Sequence, residues 1–400
     1  MAKKTIDDID VAGKRVLVRV DFNVPLDGDR NITDDTRIKA VLPTLWHLLE
    51  RGASLVLMSH LGRPQGQVIS GLSLAPVAEL LHNLLGTSVH LAPDCVGDQV
   101  ERMAADLKAG QVLLLENVRF HQEEVANDPE FAARLASLGD LFVNDAFGTV
   151  HRAHASTEGI THHLPLAVSG YLMKKELQYL DEAVSNPKRP LVAILGGAKV
   201  SDKIELVTSL MEKVDALLIG GGMAYTFLKS MGCEIGDSLL DEDSLSVAAE
   251  ILSRAEANPN LDIVLPVDII VADKIAPKAV TQTVGMESIP IDSAGGDIGP
   301  ETRRQFIERI ESAGTVIWNG PLGVFEMEPF AEGTLSVARA LEQATWESGV
   351  VSIVGGGDTA AAVAQAGVAA KMTHVSTGGG ASLECLSGRE LPGVTALTDA

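Results

Sequence analysis

Two kinds of polar motif lie in the two halves of this 400-residue chain. In the first half, short apolar runs end in arginine, histidine and carboxamide side chains, in segments 19–23, 59–64, 116–119 and 151–154. In the second half, similar runs end in glycine clusters with lysine or aspartate, in segments 196–203, 355–359 and 377–382. Arginine forks suit a small anion with carboxylate or phosphate groups. Glycine loops that open a helix suit a polyphosphate and its Mg²⁺. The sequence therefore predicts two different anion sites.

The arginines of the first half lie near separate predicted strand ends. A surface salt bridge is the ordinary explanation for any one of them. Several together with a histidine favour an anion site; they are Arg37, Arg63, Arg119 and Arg152, with His60. Asp21 and Asn23 precede Pro25, which requires an extended turn, so they either bind hydroxyl groups of a polar ligand or simply form the turn.

The glycine clusters of the second half lack both the Walker A spacing and the GxGxxG pattern, which disfavours a dinucleotide-binding dehydrogenase. Lys199 and Lys203 are four residues apart, which predicts one face of a helix after the strand. There they either grip successive phosphates or form a solvated helix edge. Asp358 follows three glycines at a predicted helix start, where it is either a Mg²⁺ ligand or an N-cap. Segment 377–382 repeats this strand–glycine–helix design.

Apolar runs alternate with helix-like segments along the whole chain. The predicted strands are 16–20, 54–58, 111–115, 141–143, 191–195, 216–219, 263–267, 315–318, 350–354 and 374–376. This alternation predicts an α/β protein with two doubly wound, Rossmann-like domains built on parallel sheets. Residues 174–185 read as an amphipathic helix, and the proline-bracketed turn that follows marks the domain boundary. We expect domains at 1–173 and 191–388, a hinge helix at 174–190, and a tail at 389–400.

The composition narrows the classes of partner. A net charge of −22 argues against nucleic acid and anionic membranes. The first residues lack the apolar core of a signal peptide, and membrane-length apolar stretches are missing from the sequence. Cys95, Cys233 and Cys385 are dispersed and odd in number, which is typical of buried thiols in a reducing cytosol. We therefore expect a cytoplasmic protein.

The ordered motifs resemble those of the phosphoglycerate kinase family. They are VLVRVDFNVP (16–25), SHLGRP (59–64), LENVRF (115–120), NDAFG (144–148), HRAHAS (151–156), GGAKVSDK (196–203), DIGP (297–300), WNGPLGVFE (318–326) and GGGDT (355–359). The resemblance covers essentially the whole chain. It implies a monomeric kinase that reversibly converts ATP and 3-phosphoglycerate into ADP and 1,3-bisphosphoglycerate, with Mg²⁺ on the nucleotide and with closure of the two domains.

The resemblance also implies roles for individual residues. Those implied to hold 3-phosphoglycerate are Asp21, Phe22, Asn23, Arg37, His60, Leu61, Gly62, Arg63, Arg119 and Arg152. Those implied to hold the nucleotide are Lys203, Gly295, Glu326, Gly356, Gly357, Asp358 and Thr359, with Gly295 on the adenine side, Glu326 on the ribose and Asp358 on Mg²⁺. Those implied to surround the transferred phosphoryl group are Arg37, Lys199, Gly378, Gly379 and Gly380. The tail is implied to fold back on the N-terminal domain.

The residues themselves agree with a carboxylate acceptor. Such an acceptor is already ionised at neutral pH and needs no general base, and the sequence contains no protein-kinase catalytic loop that would supply one. Two alternatives stay open at this point. One is another acyl-phosphate-forming kinase with a different acceptor pocket, and the other is a non-catalytic module that binds an anion or a nucleotide.

Overall fold

The structure, a computed structural model, describes residues 3–400; residues 1 and 2, at the start of the predicted first domain, lie outside them. The chain divides into two compact units. Unit 1 comprises residues up to 178 together with 390–400, and unit 2 comprises residues 179–389. Within residues 3–400, no helix has both the length and the apolar character needed to cross a bilayer.

Unit 1 is built on a six-stranded parallel sheet with the order β3-β4-β2-β1-β5-β6. Its strands are β1 (Arg15–Arg19), β2 (Ser54–Met58), β3 (Val89–Leu91), β4 (Val112–Leu114), β5 (Leu141–Asn144) and β6 (Ala167–Ser169). Its helices are α1 (Thr36–Glu50), α2 (Ala75–Leu85), α3 (Asp98–Ala105), α4 (Gln122–Ala126) and α5 (Pro129–Ala136). The next helix, α6 (Tyr171–Ser185), contains the boundary between the units.

Successive residues of β1 face opposite layers of the unit 1 core. Val16 and Val18 pack in one apolar cluster with residues of α1 and α2, whereas Leu17 packs in a second cluster with residues of α3 and α5. Both faces of the sheet are therefore buried, which explains why its strands are continuous apolar runs. This arrangement confirms the predicted α/β class, and it leaves the carboxyl ends of the strands as the place for polar groups.

Residues 390–400 pack against unit 1. The helix α14 (Pro392–Thr395) follows the boundary, and the Gly393 amide donates to the Val150 carbonyl over 2.9 Å. The Thr398 amide donates to the Ala167 carbonyl over 2.9 Å, and the Lys4 amide donates to the Thr398 carbonyl over 2.9 Å. Leu397 lies in the same apolar cluster as Leu17. The tail thus completes the β6 side of this unit.

Unit 2 contains a second six-stranded parallel sheet, with the order β15-β14-β13-β7-β8-β9. Its parallel strands are β7 (Leu191–Leu195), β8 (Ala216–Ile219), β9 (Asp262–Val264), β13 (Thr315–Asn319), β14 (Val351–Gly355) and β15 (His374–Val375). Its helices are α7 (Ile204–Met211), α8 (Met223–Ser230), α9 (Leu245–Glu256), α10 (Pro300–Glu311), α11 (Glu332–Ser348), α12 (Gly357–Gln365) and α13 (Gly380–Leu386).

Unit 2 also contains a three-stranded antiparallel sheet that the sequence did not predict. Its strands are β10 (Asp268–Ala272), β11 (Gln282–Gly285) and β12 (Ala294–Ile298). The predicted strand 263–267 was wrong in extent, because β9 ends at Val264 and β10 begins an antiparallel pairing at Asp268. The prediction of three buried thiols was also wrong, since Cys233 and Cys385 are partly exposed and only Cys95 of the three is buried.

Candidate active site

The carboxyl ends of β1 and β2 bring the predicted acceptor groups together. Asp21 and Asn23 follow β1, and Arg37 lies in the first turn of α1. Arg37 Nη1 donates to Asp21 Oδ2 over 2.6 Å, and Asn23 Oδ1 accepts from the Gly62 amide over 2.8 Å. Because the Arg37 side chain is 36% exposed, part of its guanidinium group is still available to a ligand.

His60 is held as a neutral donor. Arg19 Nη2 lies 3.2 Å from His60 Nδ1, and a guanidinium group can only donate, so Nδ1 accepts and the ring proton is on Nε2. Burial, reinforced by the positive charge of Arg19, lowers the pKa of His60 well below its usual value. The ring therefore offers an uncharged N–H donor beside the arginines at neutral pH.

A cavity of about 360 Å³ in unit 1 is lined by three of the predicted arginines, Arg63, Arg119 and Arg152. Arg119 Nη1 also donates to the Gly62 carbonyl over 2.9 Å, which fixes one side of its fork. Burial, together with the nearby Arg19, lowers the pKa of Arg119 to about 10, so this group is still charged at neutral pH. The lining of the cavity includes neither aspartate nor glutamate. Its electrostatics therefore favour a small anion.

A buried polar network lies beneath these cations. Glu124 and Arg19 are both fully buried. Glu124 accepts from the Ser156 amide over 2.9 Å and from Ser156 Oγ over 2.6 Å, while Arg19 Nε donates to Ser156 Oγ over 2.8 Å. The carboxylate of Glu124 thus offsets the positive charge of Arg19 through a shared hydroxyl group. Glu124 was not predicted to have a role, because nothing in its local sequence indicates a buried residue.

Two of the predicted acceptor residues belong to the core of unit 1. Phe22 is fully buried and Leu61 is 3% exposed. The Phe22 amide donates to Ser59 Oγ over 2.9 Å, and the Leu61 carbonyl accepts from Asn117 Nδ2 over 2.7 Å. Their side chains therefore support the loops that carry Asp21, Asn23 and His60, and are withdrawn from a ligand.

Unit 2 has a cavity of about 440 Å³ beside the carboxyl ends of β7 and β8. Of the predicted nucleotide residues, Gly295, Glu326 and Asp358 line it. A Cβ atom at position 295 would lie 2.2 Å from Tyr225 Oη, and one at position 221 would lie 2.7 Å from the Gly197 amide nitrogen. These two glycines therefore allow neighbouring segments to pack closely in the wall of the cavity. The sequence analysis missed Gly221 and Tyr225, although the glycine triplet at 220–222 was a usable signal.

Lys203 lies at the N-cap of α7 and is hydrogen-bonded to the end of β13. Its Nζ donates to the Asn319 carbonyl over 2.9 Å and to Asn319 Oδ1 over 2.5 Å. Burial lowers the pKa of Lys203 to about 8, and the negative charge of Asp358 opposes this decrease. The lysine is therefore a partly desolvated cation that gains from an anionic neighbour.

The helix α12 begins at the predicted glycine cluster. Gly356 is its N-cap, with φ of +91°, and no side chain caps the helix start. Asp358 is exposed in the first turn, so the alternative N-cap role for this aspartate was wrong. Thr359 is buried and its Oγ1 accepts from the Gly320 amide over 2.7 Å.

The side-chain amide of Asn319 was not predicted to have a role. Its Nδ2 is buried and has no hydrogen-bond partner among residues 3–400.

The two lysines of segment 196–203 do not share a helix face. Residues 198–203 form bends and turns, and α7 begins only at Ile204. A Cβ atom at position 196 would lie 2.0 Å from the Pro321 carbonyl oxygen, so the end of β7 packs directly on the loop after β13. Lys199 is consequently exposed on the loop, whereas Lys203 is turned inward.

The glycines at 378–380 lead into α13. Gly379 is its N-cap, with φ of +51°, and the Gly378 amide donates to Ser376 Oγ over 3.1 Å. Ser376 Oγ and Ser382 Oγ are 2.5 Å apart, which ties the loop to the first turn of the helix. The Ala381 amide donates to the Gly378 carbonyl over 3.0 Å, which closes the turn at the start of α13.

Comparison with known proteins agrees with this geometry. The family model for phosphoglycerate kinase matches residues 6–389. The phosphoglycerate kinase of Chloroherpeton thalassium is 56% identical over 400 residues, which cover 100% of both chains. The chain belongs to the phosphoglycerate kinase family. It is therefore an enzyme, a kinase that carries out reversible ATP-dependent phosphoryl transfer with 3-phosphoglycerate.

Other phosphoglycerate kinases support the same assignment. That of Acaryochloris marina is 55% identical over 403 residues, with 100% of both chains covered. The structure of phosphoglycerate kinase from Coxiella burnetii superimposes with a TM-score of 0.89 at 41% identity, covering 98% of each chain. That from Pyrococcus horikoshii gives a TM-score of 0.85 at 34% identity, also covering 98% of each chain. The two-sheet α/β fold is thus the phosphoglycerate kinase fold.

Proposed function

We propose that unit 1 binds 3-phosphoglycerate through its arginine cavity and the adjoining strand ends. Arg63, Arg119 and Arg152 would hold an anionic end of the ligand, because they line one cavity without an opposing carboxylate. Beside Gly62, the Asp21 carboxylate would accept hydrogen bonds from the hydroxyl group of the ligand, and the Asn23 amide would donate hydrogen bonds to its oxygens. The neutral His60 would donate an N–H hydrogen bond without adding charge.

We propose that unit 2 binds the nucleotide in the glycine-lined cavity. Gly295 would lie against the base, Glu326 would bind the ribose hydroxyls, and Lys203 and the start of α12 at Gly356–Gly357 would face the phosphates. Thr359 would position that start through its bond to Gly320. Asp358 fits a Mg²⁺ ligand because its carboxylate is exposed, lines the cavity and is not used as a helix cap. A bound Mg²⁺ would offset the negative charge of the phosphates.

The transfer step requires only positioning and charge compensation. The acceptor carboxylate is ionised at neutral pH, so no residue has to remove a proton. Arg37, Lys199 and the helix start at Gly378–Gly380 would stabilise the negative charge on the phosphoryl group as it passes between the two ligands. Since the acceptor groups lie in unit 1 and the donor groups in unit 2, we propose that the domains 1–173 and 191–388 close over both ligands by bending at 174–190.

The observation that most strongly supports this function is the arginine cavity of unit 1. It is connected to the strand end that bears Asp21 through Gly62, which is hydrogen-bonded to both Asn23 and Arg119. Unit 2 has a separate, glycine-lined cavity. The test is an assay with purified enzyme, ATP and 3-phosphoglycerate, in which 1,3-bisphosphoglycerate formation is followed with and without Mg²⁺. We expect turnover that depends on all three. A panel of other carboxylate acceptors serves as the control, and a preference for one of them would contradict the assigned acceptor.

Arg63→Ala is expected to weaken 3-phosphoglycerate binding and to leave ADP binding unchanged. A charge-assisted hydrogen bond contributes about 1.5–3 kcal/mol, so the dissociation constant should rise by about 10- to 100-fold. Isothermal titration calorimetry with each ligand measures both affinities. The matched control is Arg134→Ala, because Arg134 is exposed on α5 away from the cavity. An equal loss for both ligands would contradict the assignment of the two ligands to different units.

Nucleotide affinity is expected to fall above pH 8. The pKa of Lys203 is about 8 in the free protein, so the charged form that faces phosphate predominates below this pH and is lost above it. The dissociation constant of ADP should be constant below about pH 7, be about twofold higher at pH 8 and then rise towards a tenfold increase per pH unit. Lys203→Arg keeps its charge at every pH tested. The ADP affinity of this variant should therefore stay constant over the same pH range. A wild-type dissociation constant that does not change up to pH 9.5 would contradict the role of Lys203.

We also propose that the enzyme acts as a cytoplasmic monomer, with its two small-molecule substrates as partners and neither nucleic acid nor membrane. The net charge of −22 supports this, because it repels polyanions. Sedimentation equilibrium, with and without substrates, tests the oligomeric state.

A further inference from the structure

Three metal-ligating side chains, of which only His121 also lines the arginine cavity, meet at the edge of the unit 1 sheet. Asp94 and Cys95 follow β3, and His121 follows the short loop after β4, the neighbouring strand. His121 Nε2 lies 2.6 Å from Asp94 Oδ1, and one ligand atom from each of the three residues lies within 4.8 Å of the other two. Parallel pairing of β3 with β4 places these loops side by side, although the residues are far apart in sequence.

We propose that Asp94, Cys95 and His121 form a binding site for one thiophilic divalent metal ion, of which Zn²⁺ is the physiological example. A carboxylate, a thiolate and an imidazole are the three donor types that zinc takes in proteins. Zinc bonds of about 2.0–2.3 Å require ligand atoms roughly 3.5 Å apart. The Asp94 and His121 ligand atoms, 2.6 Å apart, would therefore separate by about 1 Å, and any pair as far apart as 4.8 Å would approach by about 1 Å. The fourth position would be filled by water or by the Glu116 carbonyl oxygen, which lies 3.0 Å from Cys95 Sγ.

The donor set distinguishes this site from one for Mg²⁺ or Ca²⁺. Cys95 is fully buried, and its Sγ donates a hydrogen bond to the Glu116 carbonyl over 3.0 Å. A metal ion must therefore displace the thiol proton, which is released to solvent as the metal–sulfur bond forms. Zinc, cobalt and cadmium bind thiolate strongly enough to do so, whereas ions that prefer oxygen ligands do not.

Charge and access also fit a divalent ion. The negative charges of the Asp94 carboxylate and the Cys95 thiolate together balance the two positive charges of the ion. The loaded site beside the arginine cavity is therefore neutral. His121 lines that cavity together with Arg63, Arg119 and Arg152, which gives an ion a route from solvent to the imidazole. Phe131 packs against the imidazole with ring centroids 5.0 Å apart, which restricts the orientation of His121.

The test uses Co²⁺ as a spectroscopic substitute for Zn²⁺ on the full-length, tag-free enzyme. Cobalt bound to a thiolate gives a sulfur-to-metal charge-transfer band in the near ultraviolet, and tetrahedral coordination gives intense visible bands. We expect both at one equivalent of Co²⁺ and their loss on addition of one equivalent of Zn²⁺. We expect Cys95→Ser to abolish the charge-transfer band, and Asp94→Asn and His121→Asn to weaken Zn²⁺ binding by about tenfold or more in equilibrium dialysis.

Two controls keep the proposal open to refutation even if Cys95→Ser folds poorly. The double variant Cys233→Ser with Cys385→Ser retains only Cys95 and should keep the full spectrum. His162→Asn removes an exposed histidine that also lies 2.6 Å from a carboxylate, that of Glu158, and should leave metal binding unchanged. A charge-transfer band that is absent from the wild-type enzyme, or that is lost in the double variant, would overturn the site. So would Zn²⁺ binding that is unaffected by both Asp94→Asn and His121→Asn.

Discussion

Arg37→Ala and Lys199→Ala are each expected to lower kcat by about 10²-fold or more and to change the KM values of both substrates far less. Their charges are proposed to matter most while negative charge is shared between the acceptor oxygen, the phosphoryl group and the leaving oxygen. Removal of one preorganised donor to such a charge typically costs about 2.7–4 kcal/mol of transition-state stabilisation. Asp21 already orients Arg37, and Lys199 is exposed on the loop after β7. Both cations can therefore reach a ligand without a change in the fold.

Steady-state kinetics with both substrates varied separates kcat from KM for each variant. Lys39→Ala is the matched control for Arg37, because Lys39 lies two residues away on α1, is 58% exposed and pairs only with Asp35 among the ion pairs of residues 3–400. Lys278→Ala serves the same purpose for Lys199, since Lys278 is exposed in unit 2 away from the nucleotide cavity. If either site variant keeps normal turnover and only its KM rises, that residue binds a ground-state ligand and not the transferred group.

Glu124→Gln is expected to destabilise unit 1 by about 3–5 kcal/mol, because it leaves the buried Arg19 without its nearest compensating charge. Glutamine has nearly the volume of glutamate, so packing is preserved. Both carboxylate oxygens accept from Ser156, however, one from its amide and one from its hydroxyl group. A glutamine places an NH₂ group against one of these donors. The loss of charge and the loss of an acceptor therefore act in the same direction.

Urea denaturation followed by circular dichroism measures this effect. Glu123→Gln is the control, since Glu123 is the preceding residue on α4 and is exposed, and its free energy of unfolding should change by less than about 0.5 kcal/mol. We also expect Glu124→Gln to weaken 3-phosphoglycerate binding, because Ser156 and Arg19 support His60. A destabilisation as small as that of the control would show that the network contributes nothing to unit 1.

The sequence predicted the parallel strands well because both faces of each sheet are buried. The run 191–195 is apolar at every position and the run 54–58 at every position after Ser54, and the structure places strands at the same residues. It also predicted that the polar motifs follow strand ends, which is where parallel sheets present loops. Asp21, His60 and Gly356 are all found there.

The features that sequence failed to predict depend on contacts between distant segments. β12 contains two glycines and an aspartate, a composition typical of a loop, and it is a strand only because it pairs with β10. Lys199 and Lys203 were predicted to lie on a helix because their spacing is helical. In the structure Gly196 packs on the Pro321 carbonyl, and α7 begins only at Ile204, after both lysines. Glu124 could not be recognised as buried, since its partner Ser156 is 32 residues away.

The return of residues 390–400 to unit 1 makes that unit discontinuous in the chain, whereas unit 2 is one uninterrupted segment. A ribosome synthesises the chain from its N-terminus, so all of unit 2 is translated before the last eleven residues of unit 1. During that interval Leu397 is missing from the apolar cluster, and the edge near Ala167 lacks its partner Thr398. Unit 1 is therefore translated first and completed last, and in a nascent chain it lacks these contacts until residues 390–400 have been made.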